Sequence, residues 1–264
     1  MKPASDQHPL QTRFPLVDQY MGIRLGVDLG SVEPGAAVIV ESPRRLRAEM
    51  SYGFVHALWW LWLEDGRSVI SVPPGVADAV RDIAEAAHSR EDLLNPVAVE
   101  RLRERVDPAL ARLGLPPTSR VFRDLTFTFA CDAGIFQRHA AGECVRLTDS
   151  SIPPADGLTL PTHCFPDGVA YGVIVDGRVA SVAYAHRAGV LEDCVADLGV
   201  ETAPQYRGRG YAKTVVSAVV ADFAASGGEA RYACDPANTA SIRTAAAVGF
   251  VPYGTSLVLA ATAG

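Results

Sequence analysis

The sequence of 264 residues lacks the features that mark several protein classes. Its five cysteines are odd in number and form no C-x-x-C pair, which argues against a disulfide scaffold and a zinc cluster. We therefore expect free thiols in a reducing compartment and no bound metal. The longest apolar run, ALWWLWL at residues 57–63, is far shorter than the roughly 20 residues that span a bilayer. The sequence thus predicts no membrane partner.

Cationic charge is also scarce. The formal net charge is −6, and this acidic balance argues against a nucleic-acid partner, because binding to a phosphate backbone requires clustered lysine and arginine. The first fifteen residues, MKPASDQHPLQTRFP, carry charge and proline where a secretory signal would be apolar. We expect a cytoplasmic protein whose acidity leaves a cationic substrate open.

The composition, 48% hydrophobic and 20% charged, is that of a globular protein, and its patterns predict the α/β class. Residues 1–20 lack periodicity and are interpreted as an N-terminal arm, followed by an α/β domain at 21–140. Within that domain we expect strands near 22–29, 36–42, 68–72 and 121–130, and helices starting at Pro74 and at Asn95-Pro96. Residues 52–63 fit either a strand or a buried helix.

Residues 141–264 show a clearer order of elements. Strands are predicted at 143–148, 169–176, 178–186, 194–202, 230–234 and 250–260, and helices at 209–225 and 238–248. This order predicts a mixed sheet with one parallel crossover pair.

The segment VETAPQYRGRGYAK at residues 200–213 carries the clearest chemical signal. A strand leads into a turn whose glycines, Gly208 and Gly210, open an amphipathic helix. Glycines there let backbone N–H groups face an anion, and the helix dipole adds positive potential. Arg207 and Arg209 add charge at the same place. The segment therefore predicts a phosphate cradle, although it matches neither the dinucleotide fingerprint nor the GxxxxGK[ST] loop.

This loop resembles the pyrophosphate-binding loop of the GNAT superfamily of N-acetyltransferases, [QR]-x-x-G-x-[GA], which Gln205, Gly208 and Gly210 match. The resemblance extends over about 143–264. Its second part is an N-x-x-S…GF segment, matched by Asn238, Ser241, Gly249 and Phe250. It implies that residues 141–264 are a catalytic GNAT fold, with a central mixed, V-splayed sheet flanked by helices.

The resemblance also implies acetyl-CoA, or a related acyl-CoA, as the acyl donor. The donor would lie in a V between the strand ending at Thr202 and the strand at 230–234. Gly199 suits a bulge that splays these strands, while Asn238 either reaches the pantetheine arm or caps its own helix. The residues that the resemblance assigns to acetyl-CoA are Leu198, Gly199, Val200, Gln205, Arg207, Gly208, Arg209, Gly210, Tyr211, Ala212, Asn238 and Ser241.

The implied reaction is direct attack of an amine acceptor on the thioester, with a backbone N–H near Val200 polarising the carbonyl. The amine must first lose a proton, and Glu201 and Asp197 are the candidate catalytic bases, the alternative for each being a surface carboxylate. Many members of the family carry a tyrosine where this chain has Ala245. The general acid is therefore unassigned: the alternatives are Tyr232, Cys234, Ser241, or departure of the thiolate without protonation, since its conjugate thiol is fairly acidic. The competing function is a sensor that binds acetyl-CoA without turnover. For either function we expect the protein to be a monomer or a homodimer.

Two signals concern the N-terminal half. Residues 68–89 repeat the strand, proline and helix plan of 200–226, so we expect a degenerate GNAT-like unit that shapes the acceptor site, the alternative being an unrelated α/β domain. The WWLW run at 59–62 fits a buried core or the wall of an acceptor tunnel. GVDLGS at 26–31 and CDAG at 131–134 resemble sugar-kinase loops, but the C-terminal assignment leaves no room for that fold.

Overall fold

The computed structural model describes residues 14–35, 37–48, 54–87, 89, 91, 95–129, 136–165, 168–186 and 190–262, without the side chains of 123–129. Its described strands join one mixed sheet of ten strands, in the order β1-β3-β2-β10-β4-β9-β8-β7-β6-β5. In chain order these are β1 (Val38–Glu41), β2 (Phe54–Leu63), β3 (Ser68–Val72), β4 (Arg120–Phe129), β5 (Glu143–Arg146), β6 (Ala170–Val175), β7 (Arg178–His186), β8 (Val195–Thr202), β9 (Glu229–Cys234) and β10 (Val251–Thr262).

Helices flank this sheet. They are α1 (Pro15–Leu25), α2 (Ala77–Ala86), α3 (Pro96–Arg112), α4 (Tyr211–Ala225) and α5 (Thr239–Val248). The apolar core under α2 and α3 includes Leu257 of β10. The apolar core under α4 and α5 includes Cys234 of β9. Leu257 pairs with Arg123 of β4, and Cys234 pairs with Leu125 of the same strand. Residues two apart on a strand share a face, so Leu257 and Cys234 lie on the same face of the sheet. The α/β class with a helix-flanked mixed sheet is confirmed.

The first helix corrects two predictions. Residues 15–25 are α1, neither part of an arm nor of a strand at 22–29, and residues 26–31 are a turn and a short 3-10 helix. The helix buries Val17, Tyr20, Met21 and Leu25 on the sheet face opposite α4. Its buried face also contains Asp18 and Arg24, and these charged side chains hide the helical period in the sequence. Residues 1–13 and the CDAG segment lie outside the described residues.

The ambiguous segment at 52–63 is a strand. Alternation is absent from β2 because both of its faces are covered: Trp60 packs in the core under α2 and α3, whereas Trp59 packs against the α1 side. The other predicted strands and helices of the N-terminal half are confirmed within a few residues, including the Asn95 cap, whose side chain accepts the Val97 N–H.

The sheet is continuous across the predicted boundary near residue 140. β4 lies between β9 and β10, and β10 pairs in turn with β2. In the C-terminal half, β8 and β9 are the predicted parallel crossover pair. They are paired from Val195–Glu229 to Leu198–Tyr232 and have no paired positions beyond that point. The two strands therefore form a V that opens after Leu198.

Candidate acetyl-CoA cleft and acceptor chamber

The turn between β8 and α4 leaves the start of α4 open to a ligand. Gly208 and Gly210 have φ angles of 77° and 83°, in the left-handed region that favours glycine. A Cβ on Gly208 would meet nothing within 4 Å, and no side chain of the described residues caps the first turn of α4. The first N–H groups of a helix have no intrahelical partner. This end of α4 therefore fits a phosphate group.

A cleft of about 580 Å³ runs from this turn into the V. Glu201, Tyr232 and the basic side chains of Arg207, Lys213 and Arg243 also line it, so its charge suits a polyanionic ligand. The residues predicted to bind acetyl-CoA that line the cleft are Val200, Arg207, Gly208, Gly210, Tyr211, Ala212, Asn238 and Ser241.

The other four predicted residues lie beside the cleft. The Gln205 side chain donates to the Asp156 carbonyl oxygen at 3.3 Å, so its contact shapes the turn. Arg209 donates to the Gln205 carbonyl oxygen and its guanidinium lies 5.4 Å from the centre of the Tyr206 ring. Leu198 lines a different cavity, described below, and Gly199 lies between Leu198 and Val200 on β8.

Backbone geometry directs Val200 into the V. Ala203 donates its N–H to Ala180 of β7, and N–H groups alternate in direction along an antiparallel strand. The N–H of Val200 therefore points away from β7, towards the opening between β8 and β9.

The predicted bulge at Gly199 is wrong, since β7 and β8 pair without a register shift around it. Glycine is favoured there for another reason: an added Cβ would lie 2.5 Å from Cζ of Tyr184 on β7, so the ring would have to move. Asn238 has its predicted capping role, because its side chain accepts the Ser241 N–H at 3.1 Å.

A second cavity, here called the chamber, lies behind the point where β8 and β9 separate. It has a volume of about 220 Å³. Ala233 of β9 lines the chamber and its neighbour Tyr232 lines the cleft, so the two cavities lie at opposite faces of the sheet. Both halves of the chain contribute to its lining, which consists of Arg24, His56, Trp59, Phe122, His186, Asp197, Leu198, Arg231, Ala233 and Val258.

Asp197 lies at the polar end of the chamber in a network of buried groups. Its carboxylate accepts from Arg231 at 2.6 Å, from the Tyr20 hydroxyl at 2.8 Å and from Arg24 at 3.4 Å. Burial by itself would raise the pKa of Asp197, but the two guanidiniums outweigh it and hold that pKa below the usual value. Asp197 is therefore a carboxylate anion whose oxygens already accept three hydrogen bonds, and it is poorly suited to accept a proton from an amine.

A stretch of the chain that includes both sides of the cleft matches a known protein family. Residues 146–250 match the family model described as the acetyltransferase (GNAT) family. The C-terminal half of the chain is a GNAT acetyltransferase domain. No curated protein in the comparison matches the chain.

Solved structures give partial superpositions on this chain. A GNAT-family acetyltransferase from Novosphingobium aromaticivorans is 28% identical, with a TM-score of 0.43, covering 57% of this chain and 70% of that one. One from Colwellia psychrerythraea is 14% identical, with a TM-score of 0.40, covering 59% and 62%. A tandem GNAT protein from the clavulanic acid biosynthesis pathway is 15% identical, with a TM-score of 0.40, covering 69% and 73%.

His186 is a residue of the GNAT domain that sequence reasoning missed. It ends β7 opposite Asp197 and lines the chamber. Its ring stacks on His163, with centroids 6.2 Å apart, and meets the Tyr184 ring edge-on at 4.8 Å. Burial lowers the pKa of His186, which keeps the imidazole neutral at pH 7. A lone histidine at the end of a strand carries no sequence signal that distinguishes it from a core histidine.

Tyr232 carries a hydroxyl and lies, by its backbone register, at the apex of the V. It lines the cleft at the last paired position of β9, and burial raises the pKa of its hydroxyl while a hydrogen bond with Ser241 opposes the rise. The hydroxyl therefore keeps its proton at neutral pH. Ala245 is fully buried in the core of the same domain.

Neither a metal-binding cluster nor a membrane-spanning helix is present among the described residues. No three side chains of the metal-binding types lie together in a group that could hold an ion. No described helix combines the length and hydropathy that crossing a bilayer requires.

Proposed function

We propose that this protein is an acetyl-CoA-dependent N-acetyltransferase that transfers an acetyl group to a primary amine of a small molecule or peptide. The observation that carries the proposal is the cleft at the V, where the predicted loop residues surround an uncapped helix start. When bound there, acetyl-CoA supplies the acetyl thioester.

The chain's own groups fit the parts of this donor. The N–H groups at the start of α4 bind the pyrophosphate, with Arg207 and Lys213 lining the same cleft. Val200 extends its N–H and C=O towards the V, and its C=O accepts from an amide N–H of the pantetheine arm, which leaves its N–H for the thioester carbonyl. The same N–H group stabilises the oxyanion that develops on the thioester carbonyl.

The acceptor amine enters from the chamber, on the other face of the sheet. There His186 takes the proton that the acceptor nitrogen loses as it forms the new C–N bond. We assign this role to His186 because it lines the chamber as a neutral imidazole, whereas Asp197 is held by two guanidiniums. Glu201 remains the carboxylate alternative: it lines the cleft and accepts the Thr159 N–H at 3.4 Å.

Tyr232 gives its proton to the sulfur as the C–S bond breaks. Its backbone lies at the apex of the V by register and its side chain lines the cleft, and it takes the role of the tyrosine that the family resemblance would place at Ala245. The products are an amide and the free thiol of coenzyme A.

The four described cysteines, Cys144, Cys164, Cys194 and Cys234, are unbridged thiols. This supports a reducing compartment, and we propose the cytoplasm.

The test of the proposed donor site is the double variant Gly208→Asp with Gly210→Asp. Two carboxylates at the uncapped start of α4 repel a pyrophosphate, so we expect acetyl-CoA binding, measured by calorimetry, to fall at least tenfold. Gly227→Asp is the matched control, because Gly227 follows the other end of α4 with a φ of 76° and open space around it.

Unchanged binding in the double variant, with a folded protein by circular dichroism, would refute the donor site. Thiol release across a panel of amines then separates the enzyme from the sensor. Tight acetyl-CoA binding with no release for any amine would favour a sensor that binds without turnover.

A further inference from the structure

We propose that Tyr184 is a specificity-determining residue that restricts the acyl group of the donor to the two carbons of acetyl. Its ring closes one face of the sheet at the apex of the V, where the acyl group of a bound thioester belongs. This inference rests on the proposed function, because it takes the V as the donor site and the Val200 N–H as the group that faces the thioester oxygen.

The phenol end of Tyr184 lies against the backbone of Gly199. The two residues face each other in the pairing of β7 with β8. A Cβ built on Gly199 would lie 2.5 Å from Cζ of Tyr184 and 2.8 Å from its hydroxyl oxygen. Three covalent bonds join that Cβ position to the nitrogen of Val200, so the hydroxyl oxygen is at most about 7 Å from this nitrogen. The ring therefore lies beside the proposed reaction centre.

The ring covers the face of the sheet that carries the chamber, here called the acceptor face. His186 lines the chamber and lies two residues after Tyr184 on β7, and Asp197 lines it two residues before Gly199 on β8. Residues two apart on a strand share a face, so Tyr184 is on this face too. Its ring meets the His186 ring edge-on at 4.8 Å and the His163 ring edge-on at 5.5 Å. These contacts hold the ring over Gly199.

Tyr184 also lies between the two cavities. Along β8, Leu198 lines the chamber and Val200 lines the cleft. Gly199, the residue between them, lies under the Tyr184 ring. The pairing of β8 with β9 ends at Leu198 and Tyr232, so Gly199 is the first residue of β8 beyond the apex. The ring thus occupies the acceptor face at the point where the donor cleft meets the chamber.

The direction of attack places the acyl chain at this point. An amine attacks a carbonyl carbon from above the plane of the thioester. Since the amine comes from the acceptor face, the thioester plane lies along the sheet, with its oxygen towards the Val200 N–H and its sulfur towards the cleft. The acyl chain then points to the apex, where the Leu198–Tyr232 pair closes the V. A methyl group can end there, whereas each further carbon must leave the plane of the sheet.

Both faces of the sheet are filled beside β8 at the apex. On the face of α4, the side chains of Leu198 and Tyr232 are packed in the apolar core, 7% and 2% exposed. On the acceptor face the Tyr184 ring fills the space over β8. The small side chain of Ala233 on β9 lines the chamber and leaves room there for the amine. Because the Val200 N–H holds the carbonyl next to β8, an acyl chain longer than acetyl would have to displace the Tyr184 ring.

The test compares acyl donors in the unmodified full chain. Calorimetry measures the binding of acetyl-CoA, propionyl-CoA and butyryl-CoA without an acceptor. We expect acetyl-CoA to bind at least tenfold more tightly than butyryl-CoA, with propionyl-CoA between them. Equal or tighter binding of butyryl-CoA would overturn the inference. Failure of acetyl-CoA and free coenzyme A alike to bind would instead refute the proposed donor site, so the two failures are distinguishable.

Tyr184→Leu locates the selection. The variant lacks the phenol end and opens the acceptor face over Gly199, so we expect the affinity for butyryl-CoA to rise at least tenfold and that for acetyl-CoA to change less than threefold. Tyr184→Phe keeps Cζ, the atom nearest the Cβ position of Gly199, and should keep most of the preference for acetyl-CoA.

Tyr171→Leu is the matched control, because Tyr171 lies on the neighbouring β6 and outside the lining of both cavities. It should leave the acyl preference unchanged. A Tyr184→Leu protein that is folded by circular dichroism and keeps the preference would contradict the assignment. Loss of the preference in Tyr184→Phe would also contradict it, since the hydroxyl and not the ring would then make the selection. The comparison of donors in the unmodified chain does not depend on the folding of any variant.

Discussion

At the scale of single residues, two neighbouring polar side chains in the chamber have opposite electrostatic surroundings. Asp197 is held as an anion by Arg231 and Arg24, whereas His186, opposite it in register, is kept neutral by burial. An anion with a lowered pKa is a weak proton acceptor, and a neutral imidazole is a good one. In the proposed mechanism, Asp197 therefore orients the two arginines and His186 accepts the proton.

The role of His186 predicts a pH dependence. His186→Gln should lower kcat/KM at pH 7 by about 10²–10⁴-fold, the usual contribution of a general base. In the unmodified protein kcat/KM should fall as the pH drops through the pKa of His186, which burial places below 6.5, because protonation removes the base.

The measurement is thiol release against pH. Glu201→Gln is the comparison, and we expect its loss to be less than tenfold. A larger loss in Glu201→Gln, or an unchanged pH profile in His186→Gln, would return the role of the base to Glu201.

A second prediction at this scale concerns Gly199. Gly199→Ala places a methyl group 2.5 Å from Cζ of Tyr184, so the ring or the strand must move. Overpacking of this kind costs about 1–3 kcal/mol in the free energy of unfolding. Urea unfolding of Gly199→Ala, Tyr184→Leu and the double variant measures it. The double variant should recover most of the loss, and simple additivity of the two effects would contradict the steric explanation.

At the scale of elements, α1 is held on the sheet by polar contacts at its start and along its buried face. Glu229 of β9 accepts the Val17 N–H at 2.8 Å and so acts as a cap from another element. Arg67 donates to Asp18 at 3.1 Å, and Tyr253 donates to the same carboxylate. These bonds explain why a helix with buried charges is stable against the sheet.

The cap predicts a measurable difference between two substitutions. Glu229→Ala removes the acceptor of the helix N–H and should lower the free energy of unfolding by about 0.5–2 kcal/mol. Glu229→Gln keeps an acceptor and should be at least as stable as the unmodified protein.

Urea unfolding at pH 7 compares the two Glu229 variants. Burial raises the pKa of Glu229, so the folded state gains relative stability at low pH and loses it as the pH rises above 4.5. Glu229→Gln should lack this loss. Equal destabilisation by the two substitutions would contradict the cap.

At the scale of the whole molecule, the sheet interleaves the two halves of the sequence. β4 of the N-terminal half separates β9 from β10, and β10, the last strand of the chain, has both of its neighbours, β2 and β4, in the N-terminal half. The chamber also takes residues from both halves. The part outside the GNAT match is therefore integral to the sheet that carries the site.

This arrangement predicts how a fragment behaves. Residues 141–264 expressed alone lose β2 and β4, which leaves β10 without a neighbour and exposes an edge of β9. We expect the fragment to lack a cooperative thermal transition, and the full chain to show a single one by calorimetry. A fragment that unfolds cooperatively and binds acetyl-CoA would contradict this expectation and would favour a separate C-terminal domain.

Several elements follow from local sequence. The Asn95-Pro96 start of α3, the glycine turn before α4 and the β6–β7 hairpin at Asp176-Gly177 are confirmed, because capping, positive φ and turn chemistry depend on a few adjacent residues. α1 was missed because its buried face contains charged side chains, and the bulge at Gly199 was wrong because the contact that requires glycine comes from another strand. Whether residues 21–140 are a degenerate GNAT-like unit stays a prediction.

The sequence by itself determined the donor side of this protein: the strand, the glycine turn and the helix that form the cleft are contiguous, so their chemistry can be read from fourteen adjacent residues, 200–213. Only the tertiary structure decided the proposed acceptor side. The chamber brings together Arg24, Trp59, Phe122, His186 and Arg231, which lie far apart in the chain. Their meeting depends on strand order and on the packing of α1, which are set by long-range pairing and burial and leave no local pattern.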